Sequence, residues 1–292
     1  MPKSSPHVAV LTHEVLRLLS PNAGDSYLDV TAGYGGHAQA VLQSTKAPLK
    51  AVLIDRDRRA ADYLKQKFAG SGAKVIKSDF LSASRQLARQ GKTFNLILAD
   101  LGVSSPHLDD ARRGFSFEKP GPLDMRMDQN QVLTAAQIVN EWDGPELSAV
   151  IARYGEEPRA AHIAEAIIAS RPVGDTRQLA RIVAAVMPRR QKLHPATKTF
   201  QGLRIAVNAE LVQLEESLPI WLGLLTPGGR MAVISFHSLE DRIVKHFFAQ
   251  FGGNTYDAEL TVLTPKPVTA KPDEIVHNPR ARSAKLRACQ RK

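Results

Sequence analysis

The chain is poor in the residues that staple or anchor a protein. A single cysteine, Cys289, excludes an intrachain disulfide and any cysteine-built metal cluster, and it fits a reducing, cytoplasmic setting. No apolar run reaches membrane-spanning length, because charge interrupts the longest candidates. The opening MPKSSPHVAVLTHE has one lysine and no apolar h-region, which argues against a secretion signal. Internal repeats and low-complexity linkers are absent. Acid is the scarcer charge, with 29 Asp and Glu against 39 Lys and Arg, a net +10. That balance favours a polyanionic partner, although by itself it also describes an ordinary basic surface.

The placement of the positive charge narrows this. From His277 to Lys292 the chain reads HNPRARSAKLRACQRK, with Arg280, Arg282, Lys285, Arg287, Arg291 and Lys292 and no acid. A second group, Arg189, Arg190, Lys192, Lys198 and Arg204, brackets the loop QKLHPATKTFQG. Two separated basic clusters suit an extended partner such as RNA.

With 292 residues, 43% of them hydrophobic, the chain can bury a large core. Short apolar runs alternate with helical stretches, which predicts strands near 26–29, 50–55, 74–77, 95–100 and 230–235, with helices between them. That order implies a parallel sheet covered on both faces. Ligands of such sheets sit beyond the carboxyl ends of the strands, where Asp29, Asp55, Asp79 and Asp100 fall. For any one of the four, a helix N-cap is the structural alternative. After the fourth strand come loop residues and then helices over Ala135–Glu141, Pro145–Tyr154, Pro158–Ser170 and Arg177–Met187. Residues 106–199 therefore read as a helical insertion, followed by a long helix near 200–217. Pro227-Gly228-Gly229 turns into the fifth strand, and Thr255–Leu263 and Ser283–Cys289 are closing strands.

The most informative segment is DVTAGYGGHA, Asp29 to Ala38, with Asp55 ending the next strand. A glycine turn lets backbone approach a ligand closely, and a strand-end acid can accept from two ribose hydroxyls. Gly33 to Ala38 fits the dinucleotide pattern of a hydride-transfer enzyme, and the spacing from Asp29 to Gly36 equally resembles the first motif of S-adenosylmethionine methyltransferases. An NAD-linked oxidoreductase would leave the basic tail and the insertion unexplained. A non-catalytic RNA-binding factor would leave the four acids unexplained.

Six segments in order, Gly33–Ala38, DLGVSSPHLDD from Asp100, RGFSFEKPGPLDMRMD from Arg113, KLHPATKTFQGLR from Lys192, SFHSLEDR from Ser235 and NPRARSAKLR from Asn278, resemble the bacterial small-subunit ribosomal RNA cytosine-N4 methyltransferases, the MraW family. The resemblance runs from about His7 to the C-terminus. It implies a Rossmann-like class I methyltransferase sheet built from residues 1–105 and 200–292, with 106–199 as a helical RNA-recognition insertion. It further implies S-adenosylmethionine as cofactor and the exocyclic N4 of a decoding-centre, P-site cytidine of 16S rRNA as target, within the small ribosomal subunit. By position, Gly35, Gly36, His37, Asp55, Phe80 and Asp100 match the family's cofactor contacts. The chain departs at position 107, where His107 replaces the glutamine of the usual SSPQLD and can supply only part of an amide's hydrogen bonding.

The chemistry sets its own conditions. A cytosine amine delocalises its lone pair into the ring, so an acceptor for an amine hydrogen favours the nucleophilic form, and positioning supplies most of the acceleration of an in-line transfer. Methylation at ring carbon C5 would instead need a cysteine nucleophile. Cys289 sits in a basic strand with no accompanying motif and reads as a small apolar residue of an edge strand. Asp100 is the catalytic candidate, either orienting the amine or only holding the cofactor; Ser104, Ser105 and His237 are further polar candidates, His237 equally as a cap. Phe115 and Phe117 read either as stacking surfaces for an extruded base or as buried anchors.

Overall fold

The computed structural model describes residues 9–188, 194–253, 256 and 258–292. The expectations placed on His7, Arg189, Arg190, Lys192 and Thr255 lie outside these residues. The chain divides into two compact units, Met1–Gly102 with Leu211–Lys292, and Val103–Glu210.

The first unit opens with α1 (Thr12–Leu19), and then strands and helices alternate: β1 (Tyr27–Asp29), α2 (Gly36–Thr45), β2 (Ala51–Asp55), α3 (Arg58–Lys67), β3 (Lys74–Lys77), α4 (Phe80–Arg89) and β4 (Phe94–Asp100). The strands are near-continuous apolar runs because helices cover both sheet faces. Leu53 of β2 packs with Leu64 of α3, while Ile54 packs with Ala83 and Leu87 of α4, so α3 and α4 lie on opposite faces. Side-chain alternation along the strand produces that division. Asp57 and Asp79 cap α3 and α4, accepting the N–H groups of Arg59 at 2.7 Å and Ser82 at 2.8 Å.

In the second unit, α5 (Ser105–Asp109) precedes the helices α6 (Ala135–Glu141), α7 (Gly144–Gly155), α8 (Ala160–Ala169), α9 (Thr176–Val186) and α10 (Thr197–Asn208). Capping boxes start α6 at Thr134 and α7 at Asp143. Their apolar faces form a core around Ile138, Leu147, Ile151, Ile163, Ile167 and Leu203. The irregular stretch ahead of α6 is held by backbone hydrogen bonding. The buried Arg113 donates to the carbonyls of Arg126 (3.0 Å) and Met127 (2.9 Å), and Asn208 accepts the Met127 N–H (2.8 Å) and donates to Met125 (2.8 Å).

The helix expected near 200–217 is two helices. Ala209 takes a left-handed conformation, φ 50°, after α10, and α11 (Glu210–Leu224) follows. The first unit then resumes with β5 (Leu225–Ser235), α12 (Ser238–Phe251), β6 (Leu260–Val262), β7 (Val268–Thr269), α13 (Pro272–His277) and β8 (Lys285–Arg291). β5 begins five residues earlier than expected, because Pro227-Gly228-Gly229 forms a bulge inside the strand rather than a turn before it. Phe94 pairs with Leu225, and after the register shift Leu96 pairs with Arg230.

The sheet order is β3-β2-β1-β4-β5-β8-β6, with β7 also on β8. The first five strands are parallel, and β8 enters antiparallel between β5 and β6. This is the Rossmann-like sheet that the resemblance implies, but it is not wholly parallel. Cys289 therefore lies on an interior strand, paired with Met231 and Val262, and not on an edge.

Candidate functional site: the carboxyl ends of β1, β2 and β4

The glycine turn between β1 and α2 is shaped by what its backbone must do. Gly35 has φ +70°, and a Cβ there would lie 2.8 Å from the Phe68 ring and 3.0 Å from Leu64. A side chain is excluded twice, by conformation and by packing. The Lys67 ammonium clamps the turn from α3, donating to the carbonyls of Tyr34 (3.1 Å) and Gly35 (3.0 Å). Sequence reasoning missed Lys67, since nothing in a helical lysine announces where its long stem will reach.

Asp55 holds the other side of the turn. Its two carboxylate oxygens accept the N–H groups of Gly33 and Asp57, both at 2.8 Å. The carboxylate thereby orders the loop from β2. Thr31, also missed, ties two strand ends together: its N–H donates to Asp29 (3.2 Å), and its Oγ1 accepts the Asp100 N–H (2.6 Å).

Three titratable groups converge behind this turn. Asp29 is buried, accepts the Tyr27 hydroxyl at 2.8 Å, and has its carboxyl pushed up to about 6 by burial, against the opposing pull of Tyr27, His37 and Thr31. The buried His37, in the first turn of α2, has Nε2 3.6 Å from an Asp100 oxygen, an electrostatic contact longer than a hydrogen bond. Burial alone would lower the imidazole. The neighbouring charge of Asp100, then Asp29 and Glu274, outweighs it and holds His37 above its ordinary value. Among the described residues, neither His37 ring nitrogen nor Asp100 Oδ1 has a hydrogen-bond partner, although all three atoms are buried. A ligand or an ordered water would complete the hydrogen bonding of such atoms.

The other candidates divide between possible ligand contacts and framework. Half-buried Phe80 sits edge-on to Trp221, ring centroids 5.6 Å apart. Asp79 is a helix cap. His237 likewise caps α12, and its neighbour Glu240 accepts the Phe236 N–H at 2.8 Å. In the helical unit, His107 Nδ1 accepts the Ser104 N–H at 3.3 Å, and the ring lies 5.0 Å from that of Phe115. Phe115 is buried, and Phe117 packs against Phe200 at 4.8 Å, so both are anchors of this core. The Ser105 side chain lies outside what the structure describes. The Cys289 thiol is buried and its pKa is raised by that burial, so it offers no nucleophile.

Much of the basic tail faces inward. Arg287 forms a buried ion pair with Asp241 at 2.6 Å, Lys285 lies 3.4 Å from the same carboxylate, and Arg291 donates to carbonyls at the end of α11. Arg204 is bidentate to Glu210 at 2.9 and 2.8 Å, and Lys198 donates to the Glu156 carbonyl at 2.9 Å.

Comparison with known proteins places this arrangement. The model of the MraW methylase family matches residues 4–292. A protein of a Nostoc species, named Ribosomal RNA small subunit methyltransferase H, is 45% identical over 98% of this chain and 92% of its own length. One of the same name from Acidobacterium capsulatum is 45% identical over 98% of both. A solved rRNA methylase from Streptococcus thermophilus covers 100% of this chain and 98% of its own at 10% identity, with a TM-score of 0.42, a likeness too remote to bear on individual residues.

Proposed function

Because the chain belongs to the MraW methylase family, a family of S-adenosylmethionine-dependent methyltransferases, we propose that it methylates the exocyclic N4 of a P-site cytidine in 16S rRNA, by in-line displacement within the small ribosomal subunit. The names of its relatives support a small-subunit rRNA substrate. The observation that carries the reading is the buried His37–Asp100 pair, whose free acceptor Oδ1 ends the fourth strand beside a turn with no side chain in the way.

The residues fit the cofactor. The Gly35-Gly36 turn brings backbone N–H groups at the start of α2 within reach of an anionic group, and the Asp55 carboxylate at the end of β2 is the kind of acceptor that ribose hydroxyls need. Half-buried Phe80 offers an aromatic wall. S-adenosylmethionine supplies a methyl group already activated by a sulfonium, so no covalent enzyme intermediate is needed.

The protein's part is to position and to hold charge. Asp100 Oδ1 accepts an N4 hydrogen, which localises the amine lone pair. His37 beside it, its Nε2 3.6 Å from the carboxylate, balances that charge. The helical unit selects the target through base and shape contacts, because its own charge is nearly balanced.

Incubating the protein with labelled S-adenosylmethionine and small-subunit rRNA, then separating nucleosides by mass spectrometry, tests this. Label should appear in N4-methylcytidine, Asp100→Ala should lose most turnover, and Cys289→Ser should keep it. Label in 5-methylcytidine would overturn the assignment.

A further inference from the structure

Part of the charge that the sequence clusters at the C-terminus is engaged inside the fold. The helical unit, residues 103–210, contains 14 basic and 13 acidic residues, whereas the remainder contains 25 and 16. Within that remainder the C-terminal arginines Arg287 and Arg291 are engaged internally. Between Lys46 and Lys92 lie 12 basic and 4 acidic residues, and although Lys50, Lys67 and Arg85 have partners elsewhere in the unit, the stretch keeps an excess of positive charge. Three of those four acids face inward or cap: Asp55 holds the glycine turn, Asp57 caps α3 and Asp79 caps α4. Only Asp62 stands in the open, 54% exposed, between Arg58 at 3.8 Å and Lys65 at 3.5 Å.

The topology collects this charge on one side. β3 is the edge strand of the sheet, and α3 and α4 flank it on opposite faces. Arg58 and Lys65 on α3, Lys74 on β3, Arg89 on α4 and Lys92 beyond it are all exposed. Lysine on an edge strand by itself guards against edge-to-edge pairing. That role does not call for arginine and lysine along the outward faces of both neighbouring helices. The next strand inward, β2, ends in Asp55 opposite Lys77, while Lys74 opens β3 and Arg89 and Lys92 lie at and beyond the end of α4, so the basic edge runs from the amino ends of the strands toward the turn beside Asp55.

We infer that the β3 edge with α3 and α4 is the surface that takes the phosphodiester backbone of the RNA. The inference rests on the RNA-methylation reading above, and its occupant follows from charge: a polyanion with regularly spaced phosphates matches separated, flexible cations across three elements.

The test compares two variants of equal charge change. Lys65, Lys74, Arg89 and Lys92 are changed to Gln at the edge; Lys119, Arg153, Arg159 and Arg181 are changed to Gln in the helical unit. Binding to a transcript of small-subunit rRNA is measured against salt, with S-adenosylmethionine titrated calorimetrically as a control on folding. The edge variant should bind at least about tenfold more weakly, with the slope of log K against log salt reduced by roughly 0.7–0.9 for each phosphate no longer neutralised. The helical-unit variant should keep its slope, and both should bind the cofactor as the parent does. An unchanged slope in the edge variant overturns the inference, as does an equal loss in both variants, which would mean a general field. Loss of binding only to phosphatidylserine vesicles would overturn it in favour of a membrane. If the parent methylates the transcript and the edge variant keeps its slope, this inference fails alone; a parent that transfers no methyl to RNA removes the proposed function and this inference with it.

Discussion

A carboxyl group sealed from water between a tyrosine hydroxyl and a second acid is costly to ionise, and Asp29 is such a group. Its folded value near 6 lies above the ordinary 3.8, so between roughly pH 4 and 6 the folded chain keeps a proton the unfolded chain has lost. Stability must therefore fall as pH rises through that window. Asp29→Asn keeps a neutral acceptor for the Tyr27 hydroxyl and should flatten the decline, leaving the variant roughly 2–3 kcal/mol more stable at pH 7. Urea midpoints at pH 4.5, 6 and 7 measure it; a variant that declines as steeply as the parent refutes it. His37, held above its ordinary value, adds stability that is present at low pH and lost as pH rises through its folded value, so a residual decline should persist above about pH 6.5. The strand-end acids and the glycine turn were legible in the sequence, because turn chemistry is local. The charge coupling of residues 29, 37 and 100 was not, because it exists only once two strand ends meet the first turn of α2.

At the scale of elements, β8 shows how composition misleads. Its basic residues read as a nucleic-acid tail, yet the strand lies inside the sheet, and its residues 285 and 287 share an acid on α12. A charge count does not say which cations are paired inside the fold, and the alternation in KLRACQR does not say which face meets Asp241. Burial would raise the Asp241 carboxyl; Arg287, with Lys285, more than reverses this. Arg287→Met removes the closer partner and should destabilise the fold by about 2–4 kcal/mol, with little change in the salt dependence of RNA binding. The contribution of a depressed carboxyl is present above its unfolded value near 3.8 and lost as pH falls through the folded one, so the gap between parent and variant should close near pH 3. Denaturation curves at pH 3 and 7 decide it: a gap that stays constant assigns the loss to packing of the arginine stem instead.

At the scale of the whole molecule, alternating apolar and helical periods revealed the parallel strands to within a few residues, and the long strand-free stretch revealed the helical unit. The break at Ala209 was hidden because no glycine or proline marks it, and the bulge in β5 was hidden because Pro-Gly-Gly reads as a turn wherever it stands. Each unit has its own core, and the two share no residue. Ile163→Ala should therefore cost about 2–5 kcal/mol in the helical unit. Hydrogen exchange should quicken in α7, α8 and α9 while the amides of β1, β4 and β5 stay protected; equal acceleration in the sheet would show the cores to be one cooperative body. The connection between β4 and β5, residues 101–224, also bears on folding, since these neighbouring parallel strands pair across all of it. The entropy of closing a loop grows only with the logarithm of its length, so stretching a crossover about tenfold adds only about 2 kcal/mol. A whole helical body can thus be housed in one crossover for less than a single well-packed leucine contributes, and insertions at this junction are the lengthening the sheet should tolerate best.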